Sequence, residues 1–151
     1  MGLPSIDTHS TQVDAPATDT WEALIDWASR SSSNRTNARF ARLLGCESVE
    51  VSGEPGRTGS TFPGFRVVRS EPPKELDLTG RHRFSTYSLD FRVEDLEGER
   101  SLLSATTHAA FPGIMGELFK TAVIRSRAHV LATKRILRSV AGRAERGRLS
   151  R

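Results

Sequence analysis

Four histidines, one tyrosine and a single cysteine are the side chains best able to move protons or attack a bond. His9, His82, His108 and His129 make no HxH or HxxxH pair with one another, so no metal site is written locally. The chain holds no CxxC, no glycine-rich phosphate loop and no GxSxG elbow. Gly56-Arg57-Thr58-Gly59 lacks the strand–helix setting of a phosphate loop and reads as a turn. Cys46 follows an apolar helix end, Leu43-Leu44, and reads as a small buried hydrophobe rather than a nucleophile. No cofactor and no metal are expected.

What remains is a constellation that only a fold could assemble. His82 alternates with Leu78 and Phe84 and so points to the apolar side of a strand. It is either a satisfied core residue or the wall of a cavity, where an imidazole titrating near neutrality suits acid–base work. Tyr87 follows across a turn; its hydroxyl could donate to a ligand carbonyl or simply point outward. Further along, Ile114, Leu118, Ala122, Ala132 and Ile136 share one helical stripe, and Arg125 and His129 fall inside it. An unpaired buried arginine is costly. Either Arg125 snorkels to the rim or pairs with Glu71 or Asp26, or it joins His129 in a polar patch within a cavity. Phe91 on the apolar row and Thr107, which shares its parity with Leu103, Ala105 and Ala109, complete the expected cavity wall. His108 has the opposite parity and belongs outside.

The elements that must position these residues follow from hydrophobic rhythm. Thr8–Val13 alternates as a short strand with His9, Thr11 and Val13 on one face. Pro16–Ala28 is a helix with Trp21, Leu24, Ile25 and Ala28 on one side. Thr36–Leu44 is a second short helix, closed by Gly45. Strands are expected at Glu47–Val51, Gly59–Phe62, Phe65–Glu71, Glu75–Phe84, Tyr87–Leu96 and Ser101–Phe111. With Ser85-Thr86 as a hairpin tip, Gly80 would face Phe91, His82 would face Leu89 and Arg81 would face Asp90. One long helix, Ile114–Gly142, ends the domain. The resulting organisation is a leader over residues 1–7, a domain over 8–142 and a charged tail over 143–151.

Length and charge narrow the classes. A chain of 151 residues makes one domain that buries roughly 68–70% of its unfolded surface without staples. No run approaches the apolar length of a membrane span, and no signal peptide opens the chain, so stable membrane insertion is not expected and the cytoplasm is the default location. Residues 120–151 carry ten Lys/Arg against Glu145 alone. Lys120, Arg127, Lys134 and Arg138 lie opposite the apolar stripe as a solvated face would, without interleaved aromatics, so nucleic acid is not the expected partner.

The order strand, two helices, strands, long helix resembles the helix-grip fold of the START, Bet v1-like and polyketide cyclase/dehydrase (SRPBCC) superfamily. The resemblance rests on Thr11-Gln12-Val13-Asp14-Ala15-Pro16 leading into Thr20–Trp27, on Glu71-Pro72-Pro73-Lys74-Glu75-Leu76 between two strands, and on the closing amphipathic helix. It departs at Pro63-Gly64, which breaks a strand that is usually continuous. It implies an α+β fold: a curved antiparallel sheet of six to seven strands around a C-terminal helix, with a cavity for a lipid-like or polyketide-like molecule. It carries no catalytic motif. Three functions stay open: binding of a small hydrophobic ligand, a cyclase or dehydratase using His82, Tyr87, Arg125 or His129, and an interaction protein with a filled core. A monomer or homodimer fits each.

Overall fold

The computed structural model describes residues 3–150; the side chains of residues 124–126 lie outside that description. Strand β1 (Ser5–Val13) leads into helices α1 (Ala17–Ser33) and α2 (Arg35–Leu44). Strands β2 (Thr61–Phe62), β3 (Phe65–Glu71), β4 (Glu75–His82), β5 (Ser85–Leu96) and β6 (Arg100–Ala110) follow. Helices α3 (Gly113–Ser126) and α4 (Ala128–Leu149) close the chain. The strands form one antiparallel sheet in the order β1-β6-β5-β4-β3-β2. This is the α+β helix-grip architecture, with six strands.

Helix α1 begins at Pro16, whose missing N–H costs nothing at a helix start. It buries Thr20, Trp21, Leu24 and Ala28. The Asn34 side chain caps α2 by accepting from the Thr36 and Asn37 N–H groups, and Gly45 ends it at φ 70°. The core lies between the sheet's inner face, carrying Leu76, Leu78, Phe91, Leu103 and Ala105, and the packed pair α1 and α4.

Several expectations are corrected. Strand β1 starts at Ser5, because Ser5 and Asp7 pair with His108 and Thr107, so residues 5–7 belong to the sheet rather than to a leader. Glu47–Val51 forms no strand; that segment is tied through an isolated bridge between Ser52 and Thr61. Pro63-Gly64 is a two-residue turn between paired Phe62 and Phe65, with Gly64 at φ 90° as the third position of a type II turn requires. The β4–β5 tip is Arg83-Phe84, so Gly80 faces Tyr87, Leu76 faces Phe91 and Leu78 faces Leu89. Each expected partner moves by an even number of residues, so no side chain changes face. Arg81 reaches Glu47 at 3.8 Å rather than Asp90.

The closing helix is two helices. Arg127 sits between them at φ 53°. A left-handed residue resets the helical phase, so one continuous wheel over 114–142 misplaces the buried stripe. Ile114 and Leu118 are exposed, as are Ala122 and Ala132. The face that packs is Thr133, Leu137, Val140, Ala141 and Ala144. The expected tail is the last two turns of α4. Arg143 donates to Asp26 at 2.6 Å, and Arg148 donates to Glu99 and to the Asp14 carbonyl, each at 3.0 Å.

Candidate functional site

A cleft of about 1080 Å³ opens between the inner face of the sheet, helices α1 and α2, and the two closing helices. Its apolar wall is aromatic. Trp27 meets Phe91 and Phe62 edge-on at 5.6 and 6.3 Å, Phe62 leads to Phe65, and Phe65 meets Tyr87 at 5.5 Å. His82 continues the row to Phe119, which stacks on Phe84 at 5.2 Å. These rings come from six separate elements and the β4–β5 tip, so no spacing along the chain announces them.

His82 sits at the end of β4 with both ring nitrogens engaged. The Phe84 N–H donates to Nδ1 at 3.1 Å, so in the neutral ring Nε2 carries the proton and donates to Ser85 Oγ at 3.1 Å. Burial lowers its pKa below the ordinary imidazole range. The ring therefore presents no lone pair to Ser85 and cannot activate that hydroxyl as a base.

Tyr87 is committed elsewhere. Its hydroxyl donates to the Gly64 carbonyl at 2.5 Å and lies 3.9 Å from Cys46 Sγ. Burial pushes the Tyr87 pKa far up, and the same cause raises the Cys46 thiol. Neither ionises near neutrality, and the phenol proton is not offered to a ligand.

A second polar cluster lies across the cleft. Asp7 Oδ2 accepts from His9 Nε2 at 3.1 Å and from His129 Nε2 at 3.0 Å. A carboxylate only accepts, so both Nε2 atoms carry hydrogen. Asp7 Oδ1, His129 Nδ1 and Thr107 Oγ1 are buried and have no hydrogen-bond partner among the described residues. His108 faces outward, as its parity requires, 3.1 Å from Asp90.

At the α1–α4 end, Asp26 takes two guanidinium groups, Arg143 at 2.6 Å and Arg30 at 3.2 Å. Two cations on one carboxylate leave a net positive charge there. Arg143 Nε is buried without a partner. Arg30, Arg135 and Arg143 all reach the cleft wall, and no Asp or Glu does so among the described residues.

Of the residues singled out from the sequence, His82, Tyr87, Thr107 and His129 line the cleft. Phe91 is fully buried behind Trp27. Leu118 is 61% exposed and Ala122 is also exposed, each off the wall for the phase reason given above. The Arg125 side chain lies outside the described residues; Asp26 is held by Arg143 and Arg30, and Glu71 by Arg69. Asp7 and Arg143 were not legible as site residues, since each lies in a segment read as a terminus. Among the described residues no three His, Cys, Asp or Glu side chains gather as a metal site, and no helix is long and apolar enough to cross a membrane.

No protein-family model and no curated sequence matches the chain. Solved structures do match over nearly all of it. Norcoclaurine synthase from Thalictrum flavum superposes with a TM-score of 0.60 at 10% identity, covering 93% of this chain and 95% of that one. The ZhuI aromatase/cyclase of Streptomyces sp. R1128 gives 0.57 at 19% identity, covering 96% and 95%. A polyketide-cyclase-like protein from Corynebacterium glutamicum gives 0.54 at 13% identity, covering 95% and 91%. The chain shares the helix-grip fold of these solved structures.

Proposed function

We propose that the protein binds an amphiphilic organic anion in this cleft, a lipid-like or polyketide-like molecule bearing a carboxylate, phenolate or enolate oxygen. The observation that carries the reading is the charge of the wall: among the described residues three arginines and no carboxylate line it, with an aromatic lining between them. An apolar body among Trp27, Phe65 and Phe119 gains about 25 cal/mol for each Å² taken from water. The anionic oxygen then meets Arg143, whose Nε is already desolvated and unpartnered. Two structures of the same fold, a synthase and an aromatase/cyclase, support a cleft that receives organic small molecules. A volume of about 1080 Å³ argues against the filled-core interaction protein.

The test compares dodecanoate with 1-dodecanol by isothermal titration calorimetry. Dodecanoate binds more tightly, and Arg143→Met costs it about 1.5–3 kcal/mol, the range for a hydrogen bond to a charged group. The alcohol is little affected. Equal affinity for the two probes in the native chain, or equal losses in the variant, sinks the reading.

A further inference from the structure

The Asp7 cluster plays no part in holding an anion, yet it leaves buried polar atoms unpartnered. Asp7 Oδ2 fixes the His129 ring through Nε2–H at 3.0 Å. In the neutral ring that bond makes Nδ1 the proton-free nitrogen, on a residue that lines the cleft. Thr107, another residue of the cleft lining, is the β6 partner of Asp7 in the sheet register, and its hydroxyl is buried and equally unpartnered. A lone pair and an uncommitted O–H donor thus flank one carboxylate in a water-poor site. Unsatisfied buried groups call for a role, since each costs free energy when left alone.

We propose that His129, held by Asp7, is a general base that removes a C–H proton from an enolisable carbonyl compound bound in the cleft, while the Thr107 hydroxyl holds the carbonyl oxygen. The inference rests on the cleft's being a ligand site. In the step the proton passes from the α-carbon to His129 Nδ1. The C–H electron pair becomes the enol double bond, and the carbonyl π pair moves to oxygen, where the Thr107 O–H stabilises it. The imidazolium that forms stays paired with Asp7, its Nδ1 proton is replaced by a deuteron from solvent, and delivery of that deuteron to the α-carbon completes an exchange needing no co-reactant beyond solvent. His9 Nε2 donates to the same Asp7 oxygen and holds that carboxylate in place. Asp7 and His9 are positioning residues; His129 and Thr107 touch the substrate.

The probe is 2-tetralone, an apolar bicyclic ketone, in deuterium oxide, with deuterium at its α-carbon followed by mass spectrometry. The native protein exchanges it faster than free imidazole at equal concentration. His129→Gln lowers the rate about a hundredfold, the low end for a positioned base, with quenching of Trp27 fluorescence by 2-tetralone unchanged. Thr107→Val, which keeps the shape, lowers it roughly tenfold. Nitrogen-15 NMR of the native protein shows His129 protonated at Nε2 and bare at Nδ1, and Asp7→Asn mixes the two tautomers. Should His129→Gln unfold, Thr107→Val and the tautomer measurement decide. Native exchange no faster than imidazole, exchange retained in His129→Gln, or a His129 protonated at Nδ1 overturns the proposal. Dodecanoate binding that persists through such a result leaves the binding reading intact; its absence in the native protein removes both.

Discussion

The Tyr87 ring lies across Gly80 on the neighbouring strand, and its hydroxyl donates to the Gly64 carbonyl at 2.5 Å. A Cβ built on Gly80 would stand 2.2 Å from the Gly64 oxygen and 2.4 Å from the Tyr87 ring. The glycine is therefore the space that the tyrosine fills, and the β2–β3 turn is tied to β5 through the phenol. Gly80→Ala forces backbone apart and destabilises by about 1–3 kcal/mol, the cost of overpacking. Tyr87→Phe keeps the ring but strands a carbonyl, costing about 1–3 kcal/mol. Urea titration of both variants checks this; a neutral Gly80→Ala would show that the turn is free to move.

Trp21 is 8% exposed on the α1 face that packs into the core, beside fully buried Leu24. Trp21→Ala removes the largest side chain of that face and costs about 3–5 kcal/mol in denaturant titration. A loss below about 1 kcal/mol would mean that α1 closes over the gap without penalty.

The sheet was legible because its strands are two-sided. Alternation places Leu76, Leu78, Leu89, Phe91, Leu103 and Ala105 on the inner face whichever residues form the tip, and a slip of even length leaves that face unchanged. What alternation cannot supply is the tip itself. His82 Nδ1 accepting from the Phe84 N–H, together with the Arg83 N–H donating to the Leu44 carbonyl, sets it at Arg83-Phe84. The closing helix misled for the opposite reason. Its apolar residues fit one period from Ile114 to Gly142, whereas the left-handed residue Arg127 divides it into two phases. His129 still reached the cleft because it stands in the first turn of α4. Leu118 and Ala122, before the break, did not. The pairing of Asp7 with Thr107 spans a hundred positions, which no local pattern reports.

His82 links the cleft to pH. Its folded-state pKa lies below the ordinary value of about 6.5 because burial disfavours the cation. Between the folded and unfolded pKa values the unfolded chain binds the extra proton, so stability rises with pH there. It is lost as pH falls below about 6.5, toward the depressed folded value, where the proton also displaces the Phe84 N–H from Nδ1. Urea titrations at pH 7.5 and 5.5 therefore show a larger drop for the native chain than for His82→Gln. An identical drop would show that His82 does not carry the pH dependence.

Arg127 holds φ 53° without a side-chain cap on α4 and without glycine's freedom. A non-glycine residue in that region costs roughly 1–2 kcal/mol. Arg127→Gly relieves that cost and gives back part of it as chain entropy in the unfolded state. The net expectation is a gain of about 0.5–1 kcal/mol in denaturant titration. Arg127→Val, β-branched in the same position, loses at least as much as the glycine gains. The two changes together separate a local break from a continuous helix. If α3 and α4 ran on as one helix in solution, glycine would weaken the chain by about 1 kcal/mol, its cost in a helix interior, and valine would be nearly neutral. The sign of the Arg127→Gly effect therefore decides whether the closing helix turns its phase at residue 127, and with it whether His129 faces the cleft while Leu118 does not.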